Sequence, residues 1–471
     1  MSKIKFGTDG WRAVIAKEYT VENVARVSIA VANWLNKNYK NPSIVIGHDC
    51  RFGGQMFVES ASKIFTHFGI KVITTDKGFV STPMISYATV KLEANLGVVI
   101  TASHNPPTYN GYKLKGSFGG PLAPENVDEI ERMIPAENQI NLDVVSIENA
   151  KNKKLYEILD IEQLYIDAVN TTFDLDIIKN SGLKLVYDAM YGAGQNVLKR
   201  LLPDIEFLHC EENPTFKGQA PEPIAKNLKE LEAFIKHNGN IDCALATDGD
   251  ADRIGLYNSK GEFVDSHHII LLLINYLVKD KGLTGKVVTG FSSTPRIKKM
   301  CNHYGLEHQE VSIGFKHIAG IMADENQDVL LGGEESGGIA IKTFIPERDG
   351  IWMGLTIWEY MAKSGKTLEE LIEEVYQIVG EFAFERSDLH IDEALKQKII
   401  KQCQNKEFNM FGKYKVERVE TLDGFKYFFD EDRWLMIRPS GTEPVLRTYA
   451  EAPTLKEVRH ILENCRLTIG A

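Results

Sequence analysis

Cysteine is sparse in this chain. The six cysteines, Cys50, Cys210, Cys243, Cys301, Cys403 and Cys465, lie far apart along 471 residues. None forms a C-x-x-C pair or stands at zinc-ligand spacing from a histidine. A disulfide scaffold and a structural zinc site are therefore excluded, and scattered thiols in an acidic chain predict a cytoplasmic protein. No apolar run approaches the ~18 residues of a membrane span. The start, Met1 to Lys5, leads straight into Gly7-Thr8-Asp9-Gly10 without the apolar core of a secretory leader, so none is expected. Positive charge is also short, 54 Lys+Arg against 65 Asp+Glu, a net charge of −11. That balance excludes a duplex-coating nucleic-acid protein and a membrane-surface protein, both of which need basic faces. A local basic pocket for a small phosphorylated ligand remains open.

What is present is an ordinary globular composition, 43% hydrophobic and 25% charged, with material for several cores. At roughly 100–200 residues per domain the length predicts three or four domains. One pattern recurs three times. A short apolar run ending in polar or glycine residues leads to a helical segment and then a second apolar run: Ser43–Asp49 to Ile70–Thr74, Lys184–Asp188 to Ile205–Leu208, Gly285–Gly290 to Leu306–Val311. Strands alternating with helices predict three similar α/β domains with mainly parallel sheets. Boundaries are expected near Asn149–Lys154, after Arg253 and near Ser364–Lys366. The last hundred residues place strands at Tyr414–Val419, Lys426–Phe429 and Trp434–Ile437 beside helices at Asp392–Gln402 and Leu455–Leu467, which reads as a smaller α+β domain.

Four constellations carry chemistry. Thr101-Ala102-Ser103-His104-Asn105-Pro106 follows the buried-type strand Leu96–Ile100. Residues beyond the C-terminal end of such a strand face the ligand crevice of an open α/β sheet. A serine there can carry a phosphoryl group if a base or metal assists it, and Lys113 supplies a nearby cation. No G-x-S-x-G elbow surrounds Ser103, which argues against a Ser-His-Asp hydrolase. Asp248-Gly249-Asp250-Ala251-Asp252-Arg253 sets three carboxylates at alternate positions. Without a cation between them they would repel, so a solvated acidic turn is the weaker reading. Hard oxygens suit Mg²⁺ or Ca²⁺. An EF-hand is excluded, because Arg253 and Ser259 stand where it needs Gly and Glu. Gly332 to Gly338 (GGEESGG) places Glu334 and Ser336 two residues apart, on one side of an extended segment, where they suit sugar hydroxyls. Arg438-Pro439-Ser440-Gly441-Thr442-Glu443-Pro444 joins an Arg fork, two hydroxyls and a glycine turn into a phosphate cradle, with Arg447 adding charge. It is not a Walker loop. Arg12, in an N-terminal turn, and Lys316, after a strand, are lesser candidates.

These motifs, in this order and spacing, resemble the α-D-phosphohexomutase family. TASHNP, DGDADR, GEESGG and RPSGTEP look like its phosphoserine, metal, sugar-recognition and phosphate-binding loops. FGTDGWR at the start and the run from Asn213-Pro214 through Pro221-Glu222-Pro223 to Asn227-Leu228 are similar too. The resemblance covers Phe6 to about Tyr449. It implies an α/β protein of four domains around a central cleft, three similar mixed-sheet α/β domains and a C-terminal α+β domain. The expected spans are 1–152, 153–254, 255–370 and 371–471. It further implies that Ser103 is phosphorylated and that Asp248, Asp250 and Asp252, with that phosphate, bind one Mg²⁺ per chain. Glu334, Ser336 and Lys316 would contact substrate, and Arg438, Ser440, Gly441, Thr442 and Arg447 would hold the idle phosphate. Arg12, His104, Lys113 and Arg253 would surround the transferring group, with His104 and Lys113 both open as general base. The implied partners are small sugar phosphates, with glucose 1,6-bisphosphate as activator and intermediate, acting on a monomer or homodimer, with no nucleic acid and no membrane.

The sequence departs from one branch of that family. Members acting on both mannose and glucose phosphates, or on glucosamine phosphate, often close the sugar loop with His, where this chain has Gly338. Glu335 likewise resembles phosphoglucomutases more than the glucosamine branch. The expectation is an intramolecular phosphotransferase for hexose 1- and 6-phosphates, glucose favoured and mannose second. A phosphoglucosamine mutase, a sugar phosphatase and a non-catalytic binding member are the alternatives.

Overall fold

A computed structural model describes residues 4–439 and 445–471. The chain forms two compact units, Met1–Val288 with Gly314–Ile372, and Thr289–Ile313 with Glu373–Ala471. Among the described residues no helix is long and apolar enough to cross a membrane.

In the larger unit the first sheet runs, edge to edge, Trp11–Val14, Tyr109–Gly116, Leu96–Ile100, Ser43–His48, Lys71–Thr74, Tyr156–Ile158. Ser43–His48 pairs in parallel with both Leu96–Ile100 and Lys71–Thr74. Every residue of Leu96–Ile100 is buried, which is why the strand is an unbroken apolar run rather than an alternating one. The flanking helices begin where side chains satisfy free amides. Thr20 accepts from the Asn23 amide at the head of Val21–Asn38, and Ser81 from that of Met84 at Thr82–Lys91. The second sheet runs Phe263–Val264, Ile254–Asn258, Cys243–Thr247, Leu185–Asp188, Glu206–Leu208.

The sheets are mixed, where the pattern alone predicted mainly parallel pairing. Leu96–Ile100 returns antiparallel as Tyr109–Gly116, Cys243–Thr247 as Ile254–Asn258, and Val329–Gly333 as Ile339–Ile341. A short connection rich in turn residues permits only an antiparallel return, because a parallel one needs a long crossover. The turns that carry Ser103, Asp248 and Glu334 are therefore equivalent. Each is the connection of a hairpin at the C-terminal end of a buried strand.

The smaller unit has an antiparallel sheet ordered Ala383–His390, Val445–Ala452, Trp434–Pro439, Phe425–Phe428, Arg418–Glu420, with helices Glu393–Gln404 and Leu455–Ile469. Two of these strands, Ala383–His390 and Val445–Ala452, are not among those expected from the sequence. Ala383–His390 is only partly buried along its length and carries Glu385, Arg386 and Asp388. The segment read as one strand over Tyr414–Val419 is two short ones, Tyr414–Lys415 and Arg418–Glu420. Phe291 joins Phe428, Trp434, Met436 and Tyr449 in one core, which binds the segment 289–313 to this unit.

Candidate active site

Ser103 stands in the first hairpin connection with φ 52, a left-handed conformation that strains any residue with a Cβ. Its surroundings hold it there. The Ser103 amide donates to Thr101 Oγ1 at 2.9 Å, and Thr101 Oγ1 donates to Asp49 Oδ2 at 2.5 Å. The buried Arg51 guanidinium donates to the carbonyls of Ser103, Asn105, Pro106 and Tyr109 at 2.6, 2.6, 2.8 and 3.0 Å. Its remaining N–H, on Nε, reaches Asp49 Oδ2 at 3.2 Å. All five guanidinium donors are thus used. The Ser103 hydroxyl donates to Asp248 Oδ2 at 2.7 Å, and His104 Nδ1 lies 3.2 Å from the same hydroxyl.

The second hairpin connection folds tightly because Asp248 Oδ1 accepts from the amides of Asp252 (2.9 Å) and Arg253 (3.1 Å), with Ala251 left-handed at φ 57. Carboxylate oxygens of Asp248, Asp250 and Asp252 all lie within 4.8 Å of one another, and all three residues are buried. Among the described residues, Oδ1 of Asp250 and Oδ1 of Asp252 have no hydrogen-bond partner. Buried carboxylate oxygens without partners are costly unless a cation takes them. Three hard oxygen donors with spare lone pairs fit a Mg²⁺-type ion. The other oxygens are taken by Lys113 Nζ, at 2.7 Å to Asp250 and 2.9 Å to Asp252, and by Thr82 Oγ1, at 2.5 Å to Asp250.

Burial, then the charges of Asp250 and Asp252, pushes the Asp248 carboxyl well above its ordinary range. Burial also opposes ionisation of Asp250, but the charge and hydrogen bond of Lys113, with that of Thr82, outweigh it and hold Asp250 low. Lys113 is desolvated too, yet Asp250, Asp252 and Asp9 (3.0 Å) raise it above a free lysine. His104 is held low by burial and by the charges of Arg253, Arg12, Lys113 and Arg51. Arg12, on the strand Trp11–Val14, donates to Asn105 Oδ1 at 2.6 Å. Arg253 Nη1 lies 3.7 Å from Glu222 Oε1.

The third connection carries Glu334, which accepts from the Gly314 amide at 2.8 Å and is buried. Burial, then the Glu335 charge, lifts its pKa to about 7. Gly337 is left-handed at φ +89, and a Cβ there would sit 2.5 Å from the Ile254 carbonyl. Ser336 is partly buried on the same loop. Lys316, in the first turn of Phe315–Met322, lines a cavity of about 100 Å³ with Thr8 and Asp9. A side chain at Gly338 would collide with Arg348. Arg348 pairs with Asp9 at 2.5 Å, Asp252 at 2.9 Å and Glu347 at 3.3 Å, and covers the Phe315 ring at 5.2 Å.

The three loops singled out in the sequence sit in a frame that sequence reasoning missed: Asp49, Arg51, Thr82, Arg348 and the Lys115–Glu347 pair at 2.5 Å. One signal was available. Lys113 and Lys115 alternate on a strand that is otherwise apolar and glycine-rich, so both face one side. In the smaller unit, Arg438 donates from Nε to Asp423 Oδ1 at 3.0 Å and from Nη2 to Asp423 Oδ2 at 3.3 Å. It stands directly opposite Arg447 across paired strands. Ser440, Gly441 and Thr442 lie outside the described residues.

A strained serine hydrogen-bonded to a buried three-carboxylate cluster, with guanidinium and ammonium groups on every side, defines a phosphoryl-transfer enzyme. Residues 3–141, 163–261 and 265–379 match the family descriptions phosphoglucomutase/phosphomannomutase, alpha/beta/alpha domains I, II and III, and residues 390–467 match its C-terminal domain. A phosphoglucomutase/phosphomannomutase of Thermococcus kodakarensis is 30% identical, over 97% of this chain and 96% of that one. A phosphoglucosamine mutase of Carboxydothermus hydrogenoformans is 29% identical, over 97% of each. The crystal structure of a putative phosphomannomutase from Thermus thermophilus superposes with TM-score 0.87 at 32% identity, each chain covering 100% of the other. The chain belongs to the phosphoglucomutase/phosphomannomutase family and is an isomerase of hexose phosphates.

Proposed function

We propose that the protein interconverts glucose 1-phosphate and glucose 6-phosphate, with mannose phosphates second, through phospho-Ser103 and a hexose 1,6-bisphosphate. The observation that carries this reading is the 2.7 Å bond from Ser103 Oγ to Asp248, inside a cluster with two unpartnered carboxylate oxygens. Asp248, Asp250 and Asp252, with a phosphate oxygen on Ser103, would hold one Mg²⁺, which when bound supplies neutralising charge for the phosphoryl group.

In the forward half-reaction the 6-hydroxyl oxygen of hexose 1-phosphate attacks phosphorus on Ser103. The P–Oγ bond breaks, and the hydroxyl proton passes to a base. After the bisphosphate turns over, Ser103 Oγ attacks the phosphorus at position 1. The phosphoryl group returns to the serine, and the freed sugar oxygen takes up the proton. His104, 3.2 Å from Oγ, is the better-placed base, since Lys113 is committed to Asp9, Asp250 and Asp252. Lys113, Arg12 and Arg253 spread the charge of the transferring group. Glu334 and Ser336 read sugar hydroxyls, and Lys316 extends that surface. Arg438 and Arg447 stand opposite each other across paired strands, with Asp423 already on Arg438, and two guanidinium groups side by side suit a further anion such as phosphate. With Ser440, Gly441 and Thr442 they would hold the idle phosphate. The reading places the enzyme in the cytoplasm, as a monomer or homodimer, acting on free sugar phosphates.

The test gives wild type and Ser103→Ala the 1-phosphates of glucose, mannose, glucosamine and ribose, with Mg²⁺ and a trace of matching bisphosphate. Glucose is expected to isomerise fastest, and Ser103→Ala to be inactive. Isomerisation of no sugar, or a Ser103→Ala variant as active as wild type, sinks the reading. Net release of inorganic phosphate would point to a phosphatase. The amino-sugar reading has one support: several relatives are named phosphoglucosamine mutases. A glucosamine preference in the panel would establish it.

A further inference from the structure

The run Asn213 to Leu228 resembles the family yet supplies no residue to the chemistry above. It is ordered by its own side chains. Asn213 Oδ1 accepts from the Thr215 amide (3.1 Å) and hydroxyl (2.7 Å), and Asn227 Nδ2 donates to the Glu222 carbonyl at 3.1 Å. Phe216 and Lys217 are left-handed, at φ 46 and 49, and such strain persists only where the surroundings enforce it. Besides the Glu222–Arg253 pair at 3.7 Å, two contacts leave this loop toward the reacting groups. The buried Phe216 ring lies 5.1 Å from the Arg51 guanidinium, whose edges are saturated by the phosphoserine loop. The Pro221 carbonyl accepts from the Gly249 amide at 3.2 Å. A Cβ on Gly249 would sit 2.5 Å from the Ser103 carbonyl and 3.0 Å from Pro221. Loop, serine turn and metal turn are therefore stacked without room between them.

We propose that Asn213–Asn227 is a clamp that sets the spacing between Ser103 and the carboxylate cluster, and that Arg51 and Phe216 are positioning residues acting as one unit within it. Arg51 uses every N–H on four carbonyls and Asp49, so only its flat face is left to fix its tilt. The Phe216 ring, 5.1 Å from the guanidinium carbon, supplies the remaining contact, and a cation–π contact is strongest when desolvated. A small error in such placement costs transfer rate rather than substrate affinity.

The inference rests on the mutase reading for its assay. Inactive wild type would sink that reading, whereas active wild type with an indifferent Phe216 variant would sink the inference alone. Full-length Phe216→Leu, Phe216→Tyr, Arg51→Lys and the Phe216→Leu/Arg51→Lys double variant are compared. Phe216→Leu is expected to lower kcat about ten- to thirtyfold with KM for hexose 1-phosphate within about twofold of wild type. Phe216→Tyr should restore most of the rate, because the ring face returns. The double variant should lose no more than Arg51→Lys alone. Should the Arg51 variants fold poorly, the rate at which hexose 1,6-bisphosphate phosphorylates Ser103 in Phe216→Leu, read by intact mass, decides alone, and it should fall by the same factor. Wild-type kcat in Phe216→Leu, an unchanged phosphorylation rate, no rescue by tyrosine, or losses that multiply in the double variant would each overturn the clamp.

Discussion

Lys113 and Lys426 are both wholly buried, one in each unit, and they are compensated in opposite ways. Lys113 lies among three carboxylates, Asp9, Asp250 and Asp252, at 3.0, 2.7 and 2.9 Å. Lys426 donates to the carbonyls of Phe291 and Ser293 at 3.1 and 2.8 Å and lies 4.3 Å from the Trp434 ring. Desolvation acts on both, yet Lys113 is raised above a free lysine. Lys426 is lowered, because burial exceeds the pull of Glu310 and Glu451. Carbonyls and ring faces are fixed dipoles that satisfy a cation and offer nothing to exchange. Carboxylates can trade the ammonium for another cation. The first arrangement holds strands together, while the second leaves charge available for chemistry.

Replacing Lys113 by Met should break the comparison most severely. It removes an ammonium from a buried acidic cluster, which costs about 3–5 kcal/mol of stability and, through lost charge stabilisation, about 10²–10³ in kcat. Thermal melts and initial rates check this, and a variant as stable and active as wild type would refute it. Metal should then sharpen the contrast. At about 100 times its Kd, Mg²⁺ should return about 2.7 kcal/mol to Lys113→Met, with a smaller gain in wild type, where the ammonium occupies part of the cluster. Equal shifts in both proteins, read by calorimetry with and without chelator, would mean the lysine and the metal do not compete for the charge of those carboxylates.

A third expectation concerns Glu334, whose carboxyl is lifted to about 7. It is charged, and a full acceptor for sugar hydroxyls, only above that pH. KM should therefore rise about tenfold per unit as pH falls below about 7. Glu334→Gln should show a higher and flat KM, and a slope that survives in the glutamine variant would assign the titration elsewhere. The smallest effect belongs to Lys426→Met. Two carbonyls lose their donor, at about 1–3 kcal/mol of stability, while activity well below the melting temperature stays within about twofold of wild type. A large loss of kcat there would show that the two lysines are not so different.

Much of this was legible in the sequence because the chemistry sits in contiguous turns. Ser103, the three aspartates and Glu334 each announce themselves beside a buried strand, at the place where an open sheet presents ligands. Arg51, Arg348 and Thr82 did not, since each acts across more than fifty residues or from another element, and isolated charges in a sequence carry no sign of what they face. Thr82, for instance, reads as an ordinary helix start, and only the fold brings its hydroxyl to Asp250. The antiparallel return strands were hidden for a different reason. A buried strand is apolar whichever way its neighbour runs, so direction follows from loop length rather than from composition.

The hairpin placement of the three functional turns makes them interchangeable cassettes, each clipped at both ends by paired strands and free to vary between the clips. The cassette proposed to read the sugar carries a condition. The volume above Gly338 is already filled by the side chain of Arg348, which lies outside the cassette and also grips Asp9 and Asp252. A graft of residues 334–338 that ends in a large side chain would therefore have to bring its own small partner at 348, and in doing so would loosen a cation from the metal turn. On the proposed function, changing the sugar and tuning the metal site are, in this architecture, one edit.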